Sequence, residues 1–227
     1  MSRYRRFFIP GGTCFFTVTL ADRSSESLVR NVDLLRRAYG SVQQQRPFRT
    51  IAICILPDHL HAIWTLPEGD ADFPRRWSLI KGRFARALPA TALRTQSKLV
   101  RREKGIWQRR YWEHAVRDDD DLSRHIDYTY YNPVSHGLVT RVKDWPHSSF
   151  HRDVSIGLLR EDWGGDLREQ PGRFGEAPIH VGWAKRSVPT VPAPAIAWAR
   201  RMRAFAHPTT TGSHEHRCVP SPFPPLP

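Results

Sequence analysis

The chain of 227 residues is poor in cysteine and has no long apolar run. Its three cysteines are odd in number and far apart, which supports neither a disulfide framework nor a cysteine-type zinc site. No apolar stretch approaches the roughly 18 residues of a membrane-spanning helix, and the N-terminal segment lacks the apolar core of a signal peptide. We therefore expect a protein of the reducing cytoplasm that does not enter a membrane.

Acidic residues are also scarce relative to basic ones. The chain has 22 Asp and Glu against 35 Lys and Arg, a formal net charge of +13. This excess predicts a polyanionic partner, either nucleic acid or an acidic membrane surface. Hydrophobic residues make up 40% of the chain and aromatic residues 11%, which is ordinary for a globular protein.

The composition changes near residue 168. Eleven of the 19 prolines lie beyond Gln170, and the last eight residues include five of them. A segment of this composition buries too little apolar surface to offset the entropy of ordering it. We predict a folded domain at 1–168 and a largely disordered, Pro-rich basic tail at 169–227.

Strand-like and helix-like patterns alternate within the predicted domain. Strands are predicted at 14–20, 49–56, 59–66 and 111–117, and helices at 27–45, 73–88 and 118–131. The last helix is expected to stop before Asn132-Pro133. The order β-α-β-β-α-β-α predicts an α+β fold of the ferredoxin-like class, an antiparallel sheet with helices on one face.

Two histidines separated by one residue lie in the third predicted strand. Because side chains alternate along a strand, His59 and His61 point the same way while Leu60 packs behind them. Two imidazoles on one face can share a metal ion. An isolated pair of this kind is also compatible with two histidines that bind no ligand.

The last predicted helix carries a phenol and an amide four residues apart. Tyr128 and Asn132 therefore share a face. Two imidazoles and an amide oxygen can hold a divalent cation and leave positions open for phosphodiester oxygens. A phenol can act as a covalent nucleophile on the phosphorus. The structural alternatives are core packing for Tyr128 and a helix end for Asn132.

Several ordered segments together resemble the HUH single-tyrosine transposases, and more closely their REP-associated branch. The resemblance covers residues 3 to about 165. It is carried by Pro57-Asp-His-Leu-His61, Tyr128-x-x-x-Asn132-Pro-Val-x-His-Gly-Leu-Val139, Tyr4-Arg-Arg-Phe-Phe-Ile-Pro-Gly-Gly-Thr13, Ile106-Trp-Gln-x-Arg-Tyr-Trp-Glu-His114 and Asp144-Trp-Pro-His-Ser-Ser-Phe-His-Arg152.

The resemblance implies an HUH nuclease that cuts single-stranded DNA beside a palindromic, REP-type hairpin. By matching positions, Tyr128 would form a 5′-phosphotyrosine, and His59, His61 and Asn132 would bind Mg²⁺ or Mn²⁺. It also implies a bacterial, cytoplasmic and nucleoid-associated protein. It leaves open whether the protein is a monomer or a homodimer.

The same resemblance assigns DNA contacts to the N-terminal segment, which would read a tetranucleotide at the foot of the hairpin. Basic residues of the second predicted helix and of the loop after it suit contacts to phosphate, which position DNA rather than specify it. The predicted DNA-binding residues are Arg3, Arg5, Arg6, Gly11, Gly12, Thr13, Arg83, Arg101, Arg102 and Arg109, with Arg75, Arg76, Lys81, Arg86 and Lys104 as further basic residues of the same region.

Two other functions compete with this interpretation. The first is a domesticated DNA-hairpin-binding protein with little or no turnover. The second is a replication or conjugation initiator of the wider HUH group, whose members often carry paired tyrosines. Tyr130 and Tyr131 lie close enough to Tyr128 in sequence to mimic such a pair.

Overall fold

The structure is a computed structural model that describes residues 9–90, 94, 96–101 and 103–165. The predictions for Arg3, Arg5, Arg6 and Arg102, and for the tail at 169–227, lie outside these residues. The described residues divide into two compact units. The strand unit comprises residues 9–51 and 55–116, and the tyrosine unit comprises residues 52–54 and 117–165.

All four predicted strands and all three predicted helical regions are present, and the α+β class is confirmed. The elements are β1 Thr13–Thr19, α1 Ser27–Arg30, α2 Val32–Gln45, β2 Arg49–Ile55, β3 His59–Thr65, α3 Phe73–Ala87, α4 Gln96–Val100, β4 Trp112–Ala115, α5 Asp119–Ser135 and α6 Phe150–Ser155, with a short 3₁₀ helix at Val142–Asp144. None of the described helices combines the length and the apolar character that a bilayer crossing requires.

The four strands form one sheet in the order β2-β3-β1-β4, and β1 runs antiparallel to both β3 and β4. One face of β1 and β3 carries an aromatic core that packs against α2 and α3. The Phe16 ring lies 5.3 Å from that of Phe73, and the Trp64 and Trp77 rings stack at 4.2 Å. Large buried rings of this kind dominate the energetics of a core.

Arg76 of α3 is a structural residue, although its helix was predicted to face DNA. Its side chain is only 2% exposed. The guanidinium makes two hydrogen bonds to the Asp70 carboxylate, at 2.7 and 3.1 Å, and donates to the backbone carbonyls of Arg46 and Pro47. Arg76 therefore fixes the loops that flank α3 and is not available to bind DNA.

Helix α5 begins at a cap that the sequence indicates. The Asp118 carboxylate accepts a hydrogen bond from the backbone N–H of Asp121 at 2.7 Å. The first turn contains three aspartates, whose charge is favourable at the positive end of the helix dipole.

The prediction that Asn132-Pro133 stops this helix is wrong, because α5 continues to Ser135. A proline inside a helix removes one backbone hydrogen bond and crowds the carbonyl one turn back, which can kink a helix without ending it. The end is set instead by Gly137, whose φ of +67° is left-handed and whose N–H donates to the Val134 carbonyl at 2.9 Å.

The inner side of α5 is anchored through Tyr130, which is fully buried. Its hydroxyl donates to the Asp153 carboxylate and lies 3.0 Å from the Ser149 hydroxyl. Ser149 in turn accepts a hydrogen bond from the backbone N–H of Ile53 at 2.9 Å. Burial and the neighbouring negative charge of Asp153 hold the pKa of Tyr130 well above its ordinary value. Tyr130 is therefore a core residue of the tyrosine unit.

We expect Tyr130→Phe to lower the free energy of unfolding by about 1–3 kcal/mol, because the buried Asp153 carboxylate loses a donor. Urea denaturation followed by circular dichroism measures this change. Tyr131→Phe is the matched control, since Tyr131 is only partly buried. Equal midpoints for Tyr130→Phe and the wild type would contradict the anchoring role.

Candidate active site

The two histidines of β3 occupy one face of the sheet, as the alternation of side chains requires. His59 lies opposite Thr19 of β1 and His61 lies opposite Thr17. Both imidazoles are only 2% exposed, and their ring centroids are 5.0 Å apart with planes at 83°. The His61 ring also stacks on Phe15, at 5.4 Å between centroids.

The Nδ1 atom of each imidazole is held by a neighbouring polar group. His59 Nδ1 lies 2.7 Å from the Asp58 carboxylate, and His61 Nδ1 lies 3.0 Å from the Thr17 hydroxyl. A carboxylate only accepts hydrogen bonds, so the proton of neutral His59 resides on Nδ1 and the lone pair on Nε2. Histidines that bind metal are typically oriented by such a contact at the other ring nitrogen.

Asp58 is itself held as a carboxylate. Its Oδ2 atom lies 2.5 Å from Nε of Arg23. Burial raises the pKa of Asp58, but the hydrogen bond with His59 and the positive charge of Arg23 outweigh this effect, so the pKa is below its ordinary value. Asp58 therefore remains ionised at neutral pH and keeps the His59 ring in one orientation.

Thr17, Arg23 and Asp58 support the histidines but were not predicted from the sequence. Asp58 had a detectable signal, because it directly precedes His59 and carboxylates commonly orient metal-binding imidazoles. Thr17 had none, because it is 44 residues away and meets His61 only through the register of β1 and β3.

Tyr128 and Asn132 follow each other on one side of α5, in the tyrosine unit. The Tyr128 side chain is 38% exposed, which leaves its phenol accessible to a substrate. Asn132 is 2% exposed, and its side-chain oxygen has no hydrogen-bond partner within the described part of the chain. A buried polar atom without a partner is uncommon and calls for an explanation such as a bound ion.

The neighbouring tyrosines do not form a second nucleophile with Tyr128. Tyr130 is buried and bonded to Asp153. Burial also raises the pKa of Tyr131, which makes its phenolate harder to form. The geometry therefore favours a site with a single tyrosine over the paired-tyrosine alternative.

The turn before β1 requires glycine at two positions that were predicted to bind DNA, Gly11 and Gly12. Gly11 has a φ of +70°, and its N–H donates to the Asp70 carbonyl at 2.9 Å. At Gly12, a Cβ atom would lie 2.9 Å from the Ile9 side chain. Thr13 is tied across to Thr65 by a hydroxyl contact of 2.9 Å. These contacts fix the backbone where the N-terminal segment enters the sheet.

The predicted basic residues of α3 and the following loop fall into two groups. Arg83 bonds to Ser41 and Gln45 of α2, so its guanidinium links two helices. Arg101 and Arg109 instead line a groove of about 640 Å³ beside α3. The structure therefore brings Arg101 and Arg109 together and leaves Arg83 outside the groove.

No family model matches the chain. A REP-associated tyrosine transposase of Escherichia coli K12 is 48% identical over 169 residues, which cover 74% of this chain and 94% of the relative. A Haemophilus influenzae protein, provisionally described in the same way, is 50% identical over 167 residues, which cover 73% of this chain and 95% of the relative. A solved structure of a REP-associated tyrosine transposase bound to a REP hairpin shares 47% identity at a TM-score of 0.65, covering 79% of this chain and 100% of that chain.

These similarities first define the class: the chain is a tyrosine transposase, and hence an enzyme. Within that class it belongs to the REP-associated tyrosine transposase family, because it covers nearly the whole length of relatives about half identical to it.

We expect the neutral His59 ring to be the Nδ1–H tautomer, because Nδ1 must donate to Asp58. Two-bond ¹⁵N–¹H spectra of histidine-labelled, metal-free protein identify the tautomer directly. Asp58→Ala removes the acceptor and should shift the population toward Nε2–H. An Nε2–H tautomer of His59 in the wild type would contradict the described orientation of the ring.

Proposed function

We propose that this chain nicks and rejoins single-stranded DNA beside REP-type hairpins, through a covalent bond to Tyr128. The family membership supports the reaction class, and the solved relative bound to a REP hairpin supports the substrate. The observation that carries the proposal is the paired, oriented imidazoles of His59 and His61, in a chain that also exposes Tyr128.

We infer that His59, His61 and Asn132 bind one divalent ion. The donor set fits such an ion, because both Nδ1 atoms are engaged and the buried amide oxygen has no protein partner among the described residues. Imidazole ligands suit Mn²⁺ at least as well as Mg²⁺. When bound, the ion supplies a Lewis acid for the phosphate under attack.

Tyr128 then performs the transfer. Its phenol oxygen loses its proton and attacks the phosphorus, and the bond from phosphorus to the 3′ oxygen breaks. The 3′ oxygen gains a proton and leaves as a hydroxyl, while the 5′ side remains joined to the enzyme as a phosphotyrosine. Attack by a 3′ hydroxyl on this ester reverses the step and releases Tyr128.

The tyrosine unit holds Tyr128 outward for this step. Tyr130 lies two residues further along α5, about 200° around the helix, and is fixed to Asp153 and Ser149. An anchored inner side therefore leaves the phenol of Tyr128 on the accessible side. We also propose that DNA contacts Arg101 and Arg109 beside α3, together with Arg3, Arg5, Arg6, Gly11, Gly12, Thr13, Arg83 and Arg102.

We expect Tyr128→Phe to reduce nicking by about a thousand-fold or more, because the covalent nucleophile is removed. The assay uses an end-labelled REP-type hairpin with a flanking tetranucleotide and Mn²⁺ or Mg²⁺. A denaturing gel resolves the nicked strand and the protein–DNA adduct. Tyr131→Phe, on the same helix, is the matched control and should retain both products.

Two outcomes would contradict this assignment. A full yield of adduct with Tyr128→Phe would place the nucleophile elsewhere. Tight binding of the hairpin by the wild type, without nicking at any metal concentration, would instead favour the binding protein with little turnover.

We expect Thr17→Val to weaken Mn²⁺ binding by about 10- to 100-fold, because the His61 ring loses the contact that orients it. The electron paramagnetic resonance signal of unbound Mn²⁺ reports the affinity without any DNA. Thr19→Val is the matched control, because Thr19 lies on the same face of β1, opposite His59. Equal affinities for the two variants would show that the Thr17 hydroxyl does not support the ion.

A further inference from the structure

A basic groove lies beside α3 in the strand unit, away from the histidine pair. One wall is α3 and the other is formed by Arg101 and residues 103–111, and the volume of the groove is about 640 Å³. Five basic side chains and one acidic side chain line these walls: Lys81, Arg86, Arg101, Lys104, Arg109 and Glu103. We call this feature the α3 groove. Its charge is complementary to a polyanion.

The walls of the α3 groove are tied together by hydrogen bonds. Lys81 Nζ donates to the Gln108 carbonyl at 2.6 Å, and Lys104 Nζ donates to the Arg86 carbonyl at 2.8 Å. The indole N–H of Trp107 donates to the Lys81 carbonyl at 3.1 Å. These contacts occupy the two ammonium groups and fix the two walls of the groove relative to each other.

The aromatic residues of the groove are already occupied. The Lys81 ammonium lies 5.8 Å from the centre of the Trp107 ring and 5.9 Å from that of Tyr111. Trp107 is only 8% exposed, and Tyr111 packs against Trp77 of the core. Bases stack on open aromatic faces. The groove therefore offers charge rather than stacking surfaces, which favours contact with the backbone of a nucleic acid.

Two cations remain for a ligand. Arg86 and Arg101 are exposed, and neither forms an ion pair with any residue that the structure describes. By contrast, Arg109 is paired with Glu103 at 3.2 Å. A guanidinium without a carboxylate partner is well suited to phosphate, which it binds through two parallel hydrogen bonds.

We propose that the α3 groove binds the phosphate backbone of the single-stranded DNA that flanks the hairpin, independently of its base sequence. The proposal rests on the proposed function, because it assumes a hairpin substrate with a single-stranded flank. A positively charged groove of this kind can follow the backbone of a flexible single strand. Contacts of this type position the DNA without reading it.

The test measures binding of full-length protein to labelled hairpins by fluorescence anisotropy, without metal so that no cleavage occurs. One hairpin carries a single-stranded flank of about ten nucleotides on each side, and the other carries none. For the flanked hairpin, Arg86→Gln and Arg101→Gln should each reduce the slope of log affinity against log salt by about 0.7. Both arginines are exposed, so the variants should fold normally.

Two controls accompany these variants. Arg30→Gln removes an exposed arginine that pairs with Glu26 outside the groove. It should leave the salt dependence of the affinity unchanged for both the flanked and the unflanked hairpin. Replacing the bases of the flank outside the tetranucleotide should leave the affinity unchanged, because the groove contacts only phosphate.

Three results would overturn the proposal. These are equal salt slopes for the groove variants and the wild type, the same loss of slope with the unflanked hairpin, and a strong dependence on the bases of the flank. Each leaves the proposed function intact if the wild type still forms the Tyr128 adduct. Absence of that adduct would overturn the proposed function whatever the groove variants do.

Discussion

The antiparallel register between β1 and β3 is the constraint on which the candidate site depends. It places Thr17 opposite His61 and Thr19 opposite His59, on the face to which the alternation of side chains directs both imidazoles. A slip of one residue would turn the histidines toward the aromatic core and expose Trp64 in their place. The stacked Trp64 and Trp77 therefore protect the site indirectly, because the core that they form permits only one register.

In helix α5 the helical period places one tyrosine on the accessible side and another on the buried side. A nucleophile has to be accessible, yet the helix that carries it has to be fixed. Tyr130 and Tyr128 divide these tasks, since one is buried against Asp153 and the other is 38% exposed. The sequence places three tyrosines within four residues, and only burial distinguishes their roles.

The strands and the shared face of His59 and His61 were predictable because alternation is a local property of the chain. The support of His61 by Thr17 was not, because it depends on pairing between distant strands. The end of α5 was mispredicted because Pro133 disfavours a helix in a local pattern, whereas the helix that contains it is anchored by the buried Tyr130. The prediction that Arg76 faces DNA was wrong for a related reason. The sequence does not reveal the backbone carbonyls and the carboxylate that bind its guanidinium in the interior.

The histidines and the proposed α3 groove occupy opposite sides of the sheet in the strand unit, and β4 is one of the two edge strands of that sheet. Ring contacts near β4 show the two faces. Trp112 stacks with His114 and contacts Phe15 on the histidine face. The preceding residue, Tyr111, packs against Trp77 on the other face. The sheet has two edge strands, β2 and β4, and a DNA strand that reached both faces could pass around the β4 edge. A short, four-residue edge strand leaves little backbone open to unwanted pairing with other strands.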